Sequence, residues 1–133
     1  MAKEKSKVAY PELSYQIVGC LFKVFNNIGP NHRESYYQKA VATEFSKAGV
    51  KFIQQYSIDL KYKGEKIGNN FLDFYVEDKV ILELKTGRFV QKSDFQQLHD
   101  YLRTSGLELG IIACFTAKGV NYHRILNISR DNL

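Results

Sequence analysis

Long apolar runs, internal repeats and low-complexity segments are absent from this sequence. No stretch approaches the roughly 20 apolar residues that a membrane span needs, and the charged start MAKEKSKVAY has no signal-peptide core. We therefore expect a cytoplasmic protein without a membrane partner. The charged first residues predict a flexible tail at residues 1–9. No linker rich in proline or serine divides the 133 residues, so we expect a single domain at residues 10–133.

Cysteine is scarce and tryptophan is missing. The two cysteines, Cys20 and Cys114, each lie in an apolar run without a second cysteine or a histidine at metal-ligand spacing. We interpret both as small core residues in a reducing compartment. The net charge of +5 is compatible with a nucleic-acid partner but equally with an ordinary globular domain, so charge alone does not decide the function.

Hydrophobic periodicity predicts two helices in the first part of the chain. An apolar stripe with a helical period runs from Pro11 to about Asn27. A second stripe carries Tyr37 and Val41 and ends at Gly49.

The pattern then changes to β-branched and aromatic residues. Between residues 50 and 85 it predicts three consecutive antiparallel strands, with turns at residues 63–65 and 77–79.

One more helix and two more strands are expected after this meander. Ser93 and Gln96 have the spacing of a capping box, which predicts a helix that continues to about Ser105. Apolar strands follow at residues 110–115 and 122–128. The expected fold is α/β: a mixed sheet, formed by a three-stranded antiparallel meander plus additional strands, flanked by helices.

The stretch VILELKTG, residues 80–87, contains an acid and a base inside an apolar strand. Side chains alternate across a strand, so Glu83 and Lys85 point to one side while Leu82 and Leu84 point to the other. Charged groups are costly on a buried face unless they are paired or functional.

Asp73 interrupts the preceding strand, ten residues before Glu83. A three-residue loop, Glu77-Asp78-Lys79, would pair Val76 with Val80 and would place Asp73 opposite Glu83. A two-residue loop would separate the two carboxylates. The prediction of a joint site therefore depends on the length of this turn.

Two close carboxylates in a poorly hydrated place repel each other, and a divalent cation would remove that repulsion. Mg²⁺ or Mn²⁺ prefers such oxygen ligands and completes its shell with waters and a substrate phosphate. Lys85 could then orient a water or neutralise charge on the phosphate, which supplies the parts for phosphodiester hydrolysis. The alternative is that Glu83 and Lys85 form a solvated edge pair and that Asp73 bonds to the hairpin backbone.

Asp73 followed by Glu83-x-Lys85 resembles the motif of the PD-(D/E)xK nuclease superfamily, which implies a restriction-endonuclease-like mixed sheet with flanking helices. Other motifs resemble a small bacterial and archaeal family named for its GxxExxY motif. They are GPNHRESYYQKAV, Tyr62-Lys-Gly64-Glu-Lys-Ile67-Gly68 and Gln97-Leu-His-Asp-Tyr101-Leu102. Asn31 stands at the glycine of GxxExxY, where asparagine tolerates a left-handed backbone, and Leu72 replaces the proline before Asp73.

The resemblance implies a role for each residue of the acidic site. Asp73 and Glu83 would hold Mg²⁺, or Mn²⁺ in its place, together with the backbone carbonyl of Leu84. Lys85 would be the catalytic lysine. Glu34 would complete the site by contacting the metal through water or by fixing Lys85, and the alternative is a surface glutamate.

Gln97 and Tyr101, one helical turn apart, resemble a glutamine-tyrosine pair that some nucleases of the superfamily use near the site. The resemblance implies catalytic roles for both residues, whereas a glutamine-tyrosine pair at this spacing, judged on the residues alone, is more often structural. Among the scattered cations, Arg88 and Lys92 are the best candidates for phosphate contacts because they directly follow the site strand.

The resulting hypothesis is a Mg²⁺-dependent nuclease that hydrolyses nucleic acid, with DNA favoured over RNA. One alternative is a catalytically inactive nucleic-acid-binding or accessory module, and another is an interaction domain with an incidental acidic pocket. The joint presence of the four charged site residues favours the nuclease, because an inactive relative would be free to lose them. A chain of this size offers one cut site, so cleavage of both strands would require a homodimer or repeated nicking.

Overall fold

The computed structural model describes residues 9–127, and within them it contains three helices and five strands in the predicted order. The elements are α1 (Pro11–Ile28), α2 (Glu34–Lys47), β1 (Phe52–Tyr62), β2 (Glu65–Val76), β3 (Val80–Thr86), α3 (Lys92–Ser105), β4 (Leu109–Phe115) and β5 (Val120–Leu126). Of the predicted tail, residues 1–8 lie outside the described residues and Ala9 is buried. Among the described residues, no helix is long and apolar enough to cross a membrane.

The five strands form one mixed sheet in the order β1-β2-β3-β4-β5. β3 and β4 are parallel and are joined by α3, whereas every other neighbouring pair is antiparallel. This confirms the predicted antiparallel meander with additional strands. The last strand begins at Val120, two residues before the predicted start, because Val120 pairs with Phe115; the predicted end at Ile128 lies outside the described residues.

Helices cover both faces of the sheet and create two cores. The α1/α2-side core contains the inward faces of α1 and α2 and includes Leu82 and Leu84 of β3. The α3-side core contains the buried face of α3 and includes Ile81 of β3. Both cysteines are free and buried, as predicted.

The connection between α1 and α2 is fixed by Tyr37, which positions the start of α2. The Tyr37 ring stacks on Phe115 at the end of β4, with 4.0 Å between ring centroids. Its hydroxyl donates to the Gly29 carbonyl at 2.7 Å. Asn31 has φ 68°, so the residue at the glycine position of the motif does adopt the left-handed backbone.

The turn between β2 and β3 has the three-residue length on which the predicted site depends. Val76 pairs with Val80, and the Lys79 N–H donates to the Val76 carbonyl at 2.9 Å. Glu77 and Asp78 both have left-handed backbones, with φ 53° and 56°. The earlier hairpin differs slightly from expectation, because only residues 63 and 64 form its loop and Glu65 already belongs to β2.

The predicted cap of α3 is wrong. The helix begins at Lys92 with Gln91 as its N-cap, so Ser93 and Gln96 lie inside the helix. Gln91 and Asp94 form the capping box, in which the Gln91 N–H donates to the Asp94 carboxylate at 3.0 Å. The Asp94 carboxylate, in the first turn, also interacts favourably with the helix dipole. This favours a cap with Asp94 over the predicted cap with the neutral Gln96. The predicted end at Ser105 is confirmed.

Candidate active site

β3 presents its charged residues on the side opposite the α1/α2-side core. Leu82 and Leu84 are fully buried in that core, so the alternation of the strand directs Glu83 and Lys85 to the α3 side. Glu83 is only 5% exposed, although it carries a carboxyl group. The predicted division of β3 into an apolar face and a face with an acid and a base is confirmed.

Asp73 and Glu83 are held together by a reciprocal pair of hydrogen bonds. The Asp73 N–H donates to Glu83 Oε2 at 2.7 Å, and the Leu84 N–H donates to Asp73 Oδ2 at 2.8 Å. The regular pairing of β2 with β3 stops one step earlier, at Phe74 and Leu82. Where the two strands separate, these side-chain hydrogen bonds thus take the place of backbone hydrogen bonds between β2 and β3. Each carboxylate keeps one oxygen without a hydrogen bond from any described residue.

β1 and β2 change face at the level of Asp73. Phe74 packs in the α1/α2-side core but Leu72 packs in the α3-side core, although strand alternation alone would put them on one face. In β1, Gln55 is at the level of Asp73 but the two residues do not pair, although the residues on either side of them do. Gln55 has a left-handed backbone, with φ 51°. Asp73 therefore occupies a twisted point of the sheet, where its carboxylate turns toward the end of β3.

Burial and mutual repulsion oppose full ionisation of the carboxylates. Burial, followed by the charge of Asp73, raises the pKa of Glu83 to about 8. Burial also raises the pKa of Asp73, while the hydrogen bond from Leu84 opposes that increase. The pKa of Glu34 is raised by burial and then by Asp73, so all three acids lie within one electrostatic neighbourhood.

Glu34 lies in the first turn of α2 and is half-buried. Its oxygen Oε2 is 3.5 Å from the Gln38 side-chain amide. Lys85 contributes to its electrostatic environment, but the ion-pair partner of Lys85 is a different residue.

That partner is Asp94, which the sequence analysis did not identify as a site residue. Lys85 Nζ lies 3.6 Å from Asp94 Oδ1, and both side chains are about a quarter exposed, at 27% and 22%. The second Asp94 oxygen caps α3 through Gln91. The sequence does contain an indication of this contact, because Asp94 is an acid in the first turn of the helix that follows the site strand. The predicted cap at Ser93 and Gln96 gave Asp94 no role.

Of the two residues predicted on α3, the structure brings only Tyr101 to the carboxylates. Tyr101 is 7% exposed within the α3-side core. Burial, and after it the charge of Glu83, raises the pKa of Tyr101 to about 12. Gln97 is exposed and makes no side-chain hydrogen bond with a described residue, so its predicted role has no contact to support it.

The donor set fits a hard divalent cation. The carboxylates of Asp73, Glu83 and Glu34 interact electrostatically with one another, and carboxylate oxygens are the ligands that Mg²⁺ prefers. Within residues 9–127, no three side chains of histidine, cysteine, aspartate or glutamate converge closely enough to chelate an ion. Asp73 and Glu83 would be the side-chain ligands of such a cation, and the predicted Leu84 carbonyl, waters and substrate would complete the shell.

Comparison with known proteins concerns the fold and the family of the chain. The crystal structure of SSO0001 has a similar fold, with a TM-score of 0.54 and 15% sequence identity over 69% of this chain. The similarity covers 48% of that protein, so this chain spans about half its length. None of the curated proteins matches the chain.

A family model described as the PD-(D/E)XK nuclease superfamily matches residues 11–125, which include the three helices, β1 to β4 and all of β5 except its last residue. This agrees with the restriction-endonuclease-like arrangement of the mixed sheet. Divalent metals, usually Mg²⁺, are in general use in this superfamily. The narrower resemblance to the GxxExxY family stays a prediction. The chain belongs to the PD-(D/E)XK nuclease superfamily.

Proposed function

We propose that the protein is a Mg²⁺-dependent nuclease that hydrolyses phosphodiester bonds, with DNA as its preferred substrate. The observation that carries this proposal is the reciprocal hydrogen bonding of Asp73 and Glu83. It fixes the buried carboxylate of Glu83 beside the half-buried carboxylate of Asp73, in an environment that opposes charge on both. Membership in a nuclease superfamily supports the same reaction class.

Asp73, Glu83 and the carbonyl of Leu84 would hold the cation. A bound divalent cation would supply Lewis-acid activation of water and neutralisation of charge on the phosphate. Lys85 remains partly exposed beside Asp94, so its ammonium group can reach a substrate phosphate oxygen or hold a water in place. Glu34 would contact the cation through a water.

The test is a cleavage assay with single-stranded, duplex and branched DNA and with RNA strands of the same sequence. The parent should cleave in Mg²⁺ and not in EDTA. Asp73→Asn should lose cleavage, because the amide can still accept the Leu84 N–H but brings no charge to a cation. Asp78→Asn, at an exposed turn position with a left-handed backbone that asparagine tolerates, is the matched control and should cleave normally.

Other outcomes would contradict the proposal in distinct ways. Salt-dependent binding of nucleic acid without cleavage would indicate a binding or accessory module. Absence of any such binding would indicate an interaction domain. Equal cleavage by the parent and Asp73→Asn would show that the paired carboxylates are not the catalytic centre.

A further inference from the structure

A cleft of about 1110 Å³ opens where β3 ends, next to the candidate active site. We call it the β3-end cleft. Its walls are residues 31–33 before α2, residues 86–88 at the end of β3 and residues 115–121 around the β4–β5 turn, with Phe22 of α1 at one side. Arg33 directly precedes Glu34 and Thr86 directly follows Lys85, so two walls of the cleft are adjacent in the chain to residues of the candidate site.

The charge of this cleft is one-sided. Arg33, Arg88 and Lys118 line it, all three are exposed, and no aspartate or glutamate is among the lining residues. Within the described residues, none of these cations forms an ion pair. Their charges therefore remain available for an anionic ligand.

Two other clefts of the protein differ in this respect. One, beside the β1–β2 hairpin, contains Asp59 as well as Lys61, so its charges are mixed. The other, along α1, contains Arg124, whose guanidinium group already donates to the Ser14 hydroxyl and to the Ala9 carbonyl. Of the three, only the β3-end cleft combines several unpaired cations with an absence of acids.

The walls of the β3-end cleft are held by hydrogen bonds. The Thr116 hydroxyl accepts the N–H groups of Lys118 and Gly119, both at 3.1 Å, and donates to the Gly119 carbonyl at 2.9 Å. The Gly87 N–H donates to the Phe115 carbonyl at 3.2 Å, which joins the segment after β3 to the end of β4. Because these segments are already ordered, a ligand would not lose affinity by having to order them.

We infer that the β3-end cleft binds a short single-stranded segment of nucleic acid that flanks the cleaved phosphate. This inference rests on the proposed nuclease function. The cleft volume corresponds to a cube about 10 Å on an edge, whereas a duplex is too broad to enter, since its major groove alone is about 12 Å wide. Pockets for drug-sized ligands measure roughly 300–1,000 Å³, so a few nucleotides fit.

The lining of the cleft has the two components of a single-strand site. Proteins that bind single strands combine cations along the backbone with aromatic side chains on which bases stack. The three cations provide the first component, and Phe22, which is 39% exposed, provides the second. Asn31 and Asn121 add amide groups that can hydrogen-bond to base edges.

The test measures fluorescence anisotropy of a short labelled oligothymidylate and of a duplex of equal length, in EDTA so that no cleavage occurs. The substitution Arg33→Ala/Arg88→Ala/Lys118→Ala removes the cleft cations. Each neutralised phosphate contributes about 0.7 to the salt dependence of single-strand binding, so the slope should fall by about 2. At about 0.1 M salt this corresponds to roughly a hundredfold loss of affinity. The charge-conserving variant Arg33→Lys/Arg88→Lys/Lys118→Arg should retain most of the binding.

A matched control removes three exposed lysines that do not line the cleft: Lys39→Ala/Lys47→Ala/Lys51→Ala. It lowers the net charge by the same amount and should bind almost as well as the parent. Equal losses in the cleft and control variants would overturn the inference, as would tighter binding of the duplex than of the single strand.

The cleft and the nuclease function can fail separately. Mg²⁺-dependent cleavage by a protein whose cleft variant still binds normally would refute the cleft and leave the nuclease intact. Selective loss of binding in the cleft variant of a protein that never cleaves would support the cleft and refute the nuclease. Circular dichroism of each variant verifies that the fold is retained.

Discussion

The metal-free protein should become less stable as the pH rises through the neutral range, and Glu83→Gln should remove most of this dependence. Burial and the Asp73 charge raise the pKa of Glu83 from 4.5 to about 8, so the folded state keeps a proton that the unfolded chain has already released. Stability falls with rising pH wherever the folded state binds more protons. The contribution of Glu83 to the free energy of unfolding is therefore largest below pH 4.5 and declines until the pH has passed about 8.

The size of this effect follows from the same two values. The difference between 4.5 and about 8 corresponds to up to about 5 kcal/mol, at about 1.4 kcal/mol per pH unit. Glu83 is only 5% exposed, so solvent screens little of this energy. Domains of this kind have unfolding free energies of roughly 5–15 kcal/mol, so the apoprotein should be markedly weakened at alkaline pH. In Glu83→Gln the amide oxygen can still accept the Asp73 N–H, and only the titration disappears.

Urea unfolding followed by far-ultraviolet circular dichroism, in EDTA and across this pH range, measures the effect directly. Glu65→Gln, which alters an exposed glutamate at the start of β2, is the control and should keep the parental slope. A parent whose stability does not change with pH, or a Glu83→Gln variant with an unchanged slope, would refute the electrostatic account of the site.

Three further predictions concern the surroundings of the site. Tyr101→Phe should remove from an alkaline absorbance titration the tyrosine that ionises with a pKa of about 12, and an unchanged titration would contradict its placement beside the carboxylates. Asp94→Asn should lower the free energy of unfolding, measured with urea, by about 1–2 kcal/mol, because it weakens the α3 cap and removes the ion pair with Lys85. An unchanged free energy would contradict both contacts. Gly110→Ala should cost about 1–3 kcal/mol, because the new Cβ would lie 2.8 Å from Leu98 Cδ1, and the cost should shrink in a Leu98→Ala background.

The sequence was sufficient to predict the pairing of Asp73 with Glu83, because a strand has a fixed period and the turn has a definite length. Once residues 77–79 form a three-residue loop, the register of β2 and β3 follows. The apolar Leu82 and Leu84 then determine which face of β3 the acid occupies. These predictions needed only local information.

The change of face in β1 and β2 could not be predicted in this way. Leu72 and Phe74 are two residues apart in one strand and are similarly hydrophobic, so the sequence pattern places them on one face of the sheet. The structure places them in opposite cores, because α3 and the pair α1 and α2 each need apolar partners from the sheet. The left-handed backbone of Gln55 is part of this tertiary arrangement and has no local sequence signal, since glutamine has no preference for it.

Asp94 was missed for a different reason. Two overlapping capping patterns exist at the start of α3. Ser93 with Gln96 matches the standard capping-box sequence, whereas the structure uses Gln91 with Asp94. The correct frame directs Asp94 toward both the cap and Lys85, a contact between α3 and β3 that no local pattern encodes. Helix ends are decided by such competing side chains more than by periodicity.

The most direct test of the central claim is a calorimetric titration of Mg²⁺ into the parent protein and into Asp73→Asn near pH 8, where Glu83 can release its proton. We expect binding to the parent, no binding to Asp73→Asn, and normal binding to the exposed turn variant Asp78→Asn. Equal Mg²⁺ binding by the parent and Asp73→Asn would contradict the claim that the paired carboxylates form the metal site of this nuclease.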